Sequence, residues 1–293
     1  MIEQPQAAKA EAFRALHRQA RILLLVNAWD VPSARIFEQA GMAAIATTSA
    51  GIAFSLGYPD GQKISREEML AAVGRIASRV KLPVTADIEA GYGDRPEHAA
   101  QTARGVIQAG AVGLNLEDGT DDREHPLADL PLQLEKIAAV RETARQLDVP
   151  LVLNARTDVY LLEIGTPEYR YQETVRRLSA FRDAGADCLF APGLRDRALI
   201  GRLVRDLAHP VNILAGPGSP SIAELEAMGV ARVSLGSAAM RATLGLARRI
   251  AEELKTSGTY ESLEGAPSHA AVNRLLDEKE GRPIRNSRGG GLM

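Results

Sequence analysis

The chain has 293 residues, 45% hydrophobic and 25% charged, with a formal net charge of -2, which suits a globular protein with a large core. Charges of both signs are interspersed, which argues against a nucleic-acid surface or a polybasic membrane patch. No apolar run approaches the roughly 20 residues that span a bilayer, and the charged N-terminus lacks the apolar stretch of a secretory signal. Cys188 is the only cysteine, so no intrachain disulfide forms and a reducing cytoplasm is the expected location.

In chain order, strands are expected over residues 22–28, 43–48, 84–88, 112–117, 151–155, 188–191, 211–215 and 232–235, each a short apolar run. Amphipathic segments lie between them. Ser65 with Glu68 three residues on reads as a capping box, and Met69, Val73, Ile76 and Val80 follow at helical spacing. Val175, Leu178 and Phe181 mark a second helical face, and Met240, Leu244, Ala247 and Leu254 a third. Several helices close on a glycine before the next strand, namely Gly41, Gly110, Gly185 and Gly229, as left-handed caps do. The repeat of about 30 residues is one βα unit. Eight units fill the chain from residue 22 to about 258, which predicts an α/β fold, a (β/α)8 TIM barrel. The rival is a doubly wound open sheet, which usually has a glycine-rich first turn. Here that turn reads Asn27-Ala28-Trp29-Asp30-Val31-Pro32. Residues 259–293 form a separate extension: a helix over 270–280, expected to pack on a partner subunit, and a polar glycine-rich tail expected to be disordered.

Barrel enzymes place their chemistry at the carboxyl ends of the strands. That rule gathers Asn27, Asp30, Thr48, Ser49, Asp87, Glu89, Glu117, Asp118, Asn154, Arg156 and Asp158 into one polar ring. Asp87, Glu89 and Glu117 are costly to bring together without a cation, and hard oxygen ligands point to Mg²⁺, with Mn²⁺ accepting the same set. Arg156 suits bidentate capture of a substrate carboxylate, although a structural pair with Glu117 or Asp158 is the plainer alternative. Thr48, Ser49, Ala50 and Gly51 offer hydroxyl and backbone N–H donors to a developing oxyanion. Trp29 either lines the pocket or packs under the first helix. His125 is the histidine best placed to reach a site, whereas His17, His98 and His209 read as surface residues, and Cys188 as a small core residue. The glycines at 216, 218 and 236 fit turns better than a phosphate site.

These residues in this order resemble the isocitrate lyase/phosphoenolpyruvate mutase superfamily. The markers are Thr48-Ser49-Ala50-Gly51, Leu56-Gly57-Tyr58-Pro59-Asp60, Asp87-x-Glu89-x-Gly91-Tyr92-Gly93, Leu116-Glu117-Asp118 and Asn154-Ala155-Arg156-Thr157-Asp158. The resemblance covers about residues 23–241. It implies a barrel whose eighth helix is swapped between subunits in a homodimer or homotetramer. It also implies Mg²⁺ or Mn²⁺, and a 2-oxo acid or dicarboxylate substrate that reacts through an enolate. By position, Ser49 and Ala50 would contact the 2-oxo acid. Asp87, Glu89 and Glu117 would hold the cation largely through water, with Asp60 near its outer shell, and Arg156 would grip the substrate carboxylate. Asn154 and Asn212 join the substrate-binding candidates. Glu89 stands where the family usually has aspartate.

The departures narrow the reaction. The lyase branch carries a Lys-Lys-Cys-Gly-His loop whose cysteine is the acid. Here residues 118–126 read Asp-Gly-Thr-Asp-Asp-Arg-Glu-His-Pro, which argues against isocitrate or methylisocitrate cleavage. The Lys/Asn-containing loop of the mutase and phosphonopyruvate hydrolase branches is also absent. Their strand-six Glu or His is replaced by Ala191-Pro192-Gly193, and Gly216 stands near the lyases' strand-seven asparagine. Decarboxylation of a β-keto acid such as oxaloacetate asks least of what remains. Alternatives stand beside it: hydrolytic or retro-aldol C–C cleavage of a related 2-oxo or 2-hydroxy acid, with His125 or a metal-bound water supplying the proton function; phosphonopyruvate-type phosphomutase or hydrolase chemistry; and a 2-oxo acid-binding protein with vestigial activity.

Overall fold

The computed structural model describes residues 5–277. A first helix, α1 (Gln6–Leu16), precedes the barrel and was not legible as a separate element. The chain then runs β1 (Leu23–Leu25), β2 (Asn27–Ala28), α2 (Val31–Gln39), β3 (Ile45–Thr47), α3 (Ser49–Ser55), α4 (Arg66–Ala77), β4 (Val84–Asp87), α5 (Pro96–Gln108) and β5 (Gly113–Glu117). It continues with α6 (Leu130–Gln146), β6 (Val152–Arg156), α7 (Pro167–Asp183), β7 (Cys188–Phe190), α8 (Arg197–Leu207), β8 (Val211–Leu214), α9 (Ile222–Ala227), β9 (Arg232–Ser234), α10 (Ala238–Thr256) and α11 (His269–Asp277).

All strand pairs are parallel, in the order β1-β9-β8-β7-β6-β5-β4-β3-β2. Only Val26 separates β1, which pairs with β9, from β2, which pairs with β3. One segment therefore serves both edges and closes the sheet into a (β/α)8 barrel, which leaves no edge to pair elsewhere. The continuous strand expected over 22–28 is divided because its two halves face different neighbours. Asn27 staples the closure: its Nδ2 donates to the Thr47 carbonyl at 2.9 Å, and its Oδ1 accepts from the N–H groups of Leu235 and Gly236 at 2.9 and 3.0 Å.

The local signals resolve as their chemistry requires. Ser65 Oγ accepts from Glu68 N while Glu68 Oε2 accepts from Ser65 N, and Met69, Val73 and Ile76 of α4 are buried. The helix-ending glycines take left-handed conformations, φ 84° at Gly41 and 90° at Gly110, which a side chain would strain. The bottom of the barrel is plugged by α1, whose Phe13 is fully buried and whose Gln6 amide donates to the carbonyls of Ile107 and Ala111. That plug corrects the reading of His17, which is buried edge-on against the Phe13 ring rather than at the surface. Burial, then Arg232, lowers its pKa to about 4.

Two outer elements differ from their neighbours. Among the described residues of α10, only Met240 is buried. The helix expected over 270–280 is present as α11 up to Asp277, with 278–280 outside the described residues, and it folds back onto α2 of its own chain. Arg35 Nε and Arg79 Nη2 donate to the carbonyls of Leu275 and Leu276, which satisfies groups that a helix end leaves open. The tail from Arg282 lies outside the described residues.

Candidate active site

Asp87, Glu117 and Arg156 are the last residues of β4, β5 and β6, and register brings them side by side: Asp87 opposite Asn115, and Glu117 opposite Arg156. Asp87 is fixed from three directions. Its Oδ2 accepts from Ser49 Oγ at 2.8 Å and Ser49 N at 3.2 Å, and its own N–H donates to Thr47 Oγ1 at 2.9 Å. Beyond β4 the backbone turns sharply, with Glu89 at φ 51° and Tyr92 at φ 59°. Such left-handed conformations cost a non-glycine residue roughly 1–3 kcal/mol and persist only where neighbours enforce them. Gln62 enforces them here. Its N–H donates to Glu89 Oε2 at 2.5 Å, and its side-chain oxygen accepts from Tyr92 N at 2.6 Å.

This packing buries carboxylates together. Burial, then Asp87 and Asp60, pushes Glu89 up to about 8. Asp60, at the rim, is raised by burial and by Asp87. Burial raises Glu117 well above the usual carboxylate range against the pull of Arg156. Burial opposes the charge on Arg156, yet Glu117 and Asp158 hold it protonated above its ordinary value. A set of carboxylates that resist ionising beside one another is the donor chemistry of a hard cation. Among the described residues, no three His, Cys, Asp or Glu side chains converge as an all-protein ligand set. Water would therefore complete the shell, as Mg²⁺ commonly requires. The carboxylates of Asp87, Glu89, Glu117 and Asp60 are hard oxygen donors of the kind such a cation takes.

Arg156 is engaged on two sides. Its Nε and Nη2 donate to Asp158 at 2.5 and 3.0 Å, and its Nη1 lies 2.6 Å from Glu117 Oε2. Its Cζ is 5.8 Å from the centroid of the Phe190 ring, an aromatic wall that the strand pattern did not mark out. Thr48 caps α3, accepting from Gly51 N at 3.2 Å. With Ser49 N given to Asp87, the Ala50 N–H is the first-turn amide of α3 left without a partner among the described residues. Trp29 sits behind that turn, its Cβ 3.0 Å from where a Gly51 Cβ would fall and its ring edge-on to Phe37.

Other sequence candidates serve the frame. Asp30 caps α2 in a reciprocal box with Ser33. Asn154 is fully buried and donates to Asn115 Oδ1 at 2.7 Å, and Asn212 exchanges hydrogen bonds with Ser234. Asp118 is fully buried; it accepts from Thr157 Oγ1, Asp158 N and Arg177 Nη1 and so braces the β5 and β6 mouths against α7. Arg177 was missed because on helical spacing alone it reads as a solvated charge. His125 does not enter the ring of carboxylates: its side chain is 80% exposed and pairs with Asp122 at 3.2 Å. Cys188 is buried, which pushes its thiol up to about 12 and makes it a poor nucleophile. Gly216 and Ser219 close a turn on themselves.

The fold and this mouth define a class: barrel enzymes with a carboxylate-rich site at the carboxyl ends of the central strands. The model of the phosphoenolpyruvate phosphomutase family matches residues 13–255, and the chain belongs to that family, within the isocitrate lyase/phosphoenolpyruvate mutase superfamily. An uncharacterised protein of Mycobacterium tuberculosis (strain H37Rv) is 36% identical over 86% of this chain and 95% of its own length. The structure of oxaloacetate acetylhydrolase in complex with the product oxalate superposes with a TM-score of 0.82 at 27% identity, covering 93% of this chain and 95% of that one. Phosphonopyruvate hydrolase with oxalate and Mg²⁺ gives a TM-score of 0.80 at 26% identity, covering 91% and 94%. The superfamily comprises Mg²⁺-dependent C–C lyases, mutases and hydrolases acting on oxo acids. No helix among the described residues is long and apolar enough to cross a membrane.

Proposed function

We propose that the protein is a Mg²⁺-dependent carbon–carbon lyase that decarboxylates a β-keto acid of the oxaloacetate type. The observation that carries the reading is that buried Asp87 and Glu89 and half-buried Glu117 come from one strand-end mouth, with Glu117 beside the Arg156 guanidinium and neither the family's acidic cysteine nor His125 reaching it. A bound Mg²⁺ would supply Lewis-acid polarisation of the 2-oxo group. Asp87, fixed by Ser49, Glu89, fixed by Gln62, and Glu117 would hold it, partly through water, with Asp60 at its edge. Arg156 keeps Asp158 as its permanent partner and can exchange Glu117 for a substrate carboxylate. The free Ala50 N–H, at the positive end of α3, donates toward negative charge developing on the substrate oxygen. Decarboxylation needs no protein acid to cleave the C–C bond, because the electron pair released as CO₂ departs is held on that oxygen. Solvent then protonates the carbon.

Hydrolytic cleavage is the second reading, favoured by the likeness to oxaloacetate acetylhydrolase. It requires a water held beside the substrate by one of the carboxylates, and His125 would have to move in from its exposed position.

The functional unit is a homodimer or homotetramer in which α10 covers a second copy. Leu244, Leu246 and Leu254 of α10 are exposed, and so is Leu24, which stands between buried neighbours on β1. Apolar surface of this kind calls for a partner. The lone buried thiol suits a reducing cytoplasm.

Proton NMR of the protein with oxaloacetate and Mg²⁺, beside an EDTA control and Glu117→Gln, tests the reaction. Pyruvate forming faster with wild type than with the variant supports decarboxylation, whereas oxalate plus acetate supports hydrolysis. No enzyme-dependent product would sink both and leave a binding protein.

A further inference from the structure

Arg232 lies at the start of β9, is fully buried, and points into the barrel. In the closed strand order β9 and β5 are diametrically opposed, four strands apart in either direction. Arg232 nevertheless reaches β5, its Nη2 donating to Asn115 Oδ1 at 3.3 Å. Its Nε and Nη1 have no partner among the described residues. A buried cation without a carboxylate in contact is costly, and a well-packed apolar side chain of that length would often be neutral or better for the fold. Its use must lie elsewhere.

That use is legible in the amide it touches. Asn115 Oδ1 accepts from Arg232 and, at 2.7 Å, from Asn154 Nδ2, which leaves Asn115 Nδ2 facing Asp87 Oδ1 at 3.5 Å. The two asparagines could reverse together, since each amide carries both donor and acceptor. Asn154 Oδ1 has no partner to prevent it. A guanidinium is a donor only and a carboxylate an acceptor only, so Arg232 at one end and Asp87 at the other set the sense of the pair, and Arg232 is the one of the two that lies outside the carboxylate site. Burial lowers its pKa to about 10, so it stays charged at neutral pH, and it attracts Asp87 electrostatically from below.

We propose that Arg232 is a positioning residue for the metal-facing carboxylate Asp87, acting across the barrel through Asn115. It fixes the amide that holds Asp87 Oδ1, while Ser49 holds Oδ2. This inference rests on the reading of Asp87 as a cation ligand. Partners that orient metal ligands typically change affinity by roughly 10- to 100-fold when lost.

The test is titration of the purified protein with Mn²⁺ alone, following free Mn²⁺ by electron paramagnetic resonance, with circular dichroism and thermal melts alongside. Arg232→Met is expected to melt no lower than wild type yet to bind Mn²⁺ roughly 10- to 100-fold more weakly. Arg232→Lys, also a donor-only cation, is expected to recover most of that affinity. Asn115→Leu should lose as much as Arg232→Met, and the double variant little more, because both act through one amide. Unchanged Mn²⁺ affinity in Arg232→Met, or additive losses in the double variant, would overturn the inference. If Arg232→Met does not fold, Asn115→Leu decides it: weaker binding supports the relay and wild-type binding overturns it. A wild type that binds no Mn²⁺ would instead overturn the reading of the carboxylate site on which this rests.

Discussion

Arg156 Nη1 lies 2.6 Å from Glu117 Oε2, yet that oxygen accepts no aligned hydrogen bond, whereas Asp158 takes both remaining faces of the guanidinium. The two carboxylates therefore stand differently toward the same cation. Asp158 is clasped in a fork, and Glu117 is held by charge alone and is free to yield Nη1.

Arg156→Lys tests that division. An ammonium keeps the charge but cannot hold Asp158 and a substrate carboxylate at fixed angles. Loss of one charged hydrogen bond of about 2 kcal/mol corresponds to roughly a 30-fold rise in KM for the 2-oxo acid. Steady-state kinetics would show it, and an unchanged KM would return Arg156 to a purely structural role.

The carboxylate cluster sets a pH dependence. In the fold Glu89 has its pKa raised from 4.5 to about 8, and Asp60 and Glu117 move the same way. Because the folded values lie above the unfolded ones, their stabilising contribution is full below about 4.5 and is lost as pH rises through about 8. Without metal, the melting temperature should fall between about pH 5 and 8. With excess Mg²⁺ the fall should shrink, because the cation binds the ionised form. Melts across pH in EDTA and in Mg²⁺ make the comparison, and parallel curves would count against a cation at these residues.

Gly51 is restricted by space rather than by backbone angle. A Cβ there would fall 2.5 Å from Thr48 Cγ2 and 3.0 Å from Trp29 Cβ. Thr48 cannot turn away without leaving the cap it makes to Gly51 N. Gly51→Ala should cost about 1–3 kcal/mol by overpacking, measured by urea denaturation, and should displace the Ala50 amide enough to lower kcat.

The exposed apolar face of α10 predicts the assembly state. Light scattering after size exclusion should give a dimer or tetramer, and Leu244→Glu should shift it toward smaller species. A wild type that runs as a monomer would remove the helix-swapping argument.

Much was legible in the sequence because it depends on local chemistry. The Ser65–Glu68 box, the glycine caps and the alternation of apolar runs act within a few residues, and eight such units admit few closed arrangements. The Asp87, Glu117 and Arg156 positions follow from the same rule, since strand ends point to one mouth. Tertiary structure alone decided which polar residues face that mouth and which hold it together. Asn27, Asp30, Asp118 and Asn154 share the strand-end spacing of the site residues, yet their partners come from segments distant in the chain or from a helix cap. The burial of His17 and of Arg232 was equally hidden. Hydrophobic periodicity reports which face of an element is apolar, but a polar side chain buried across the barrel is defined only by the strand opposite it.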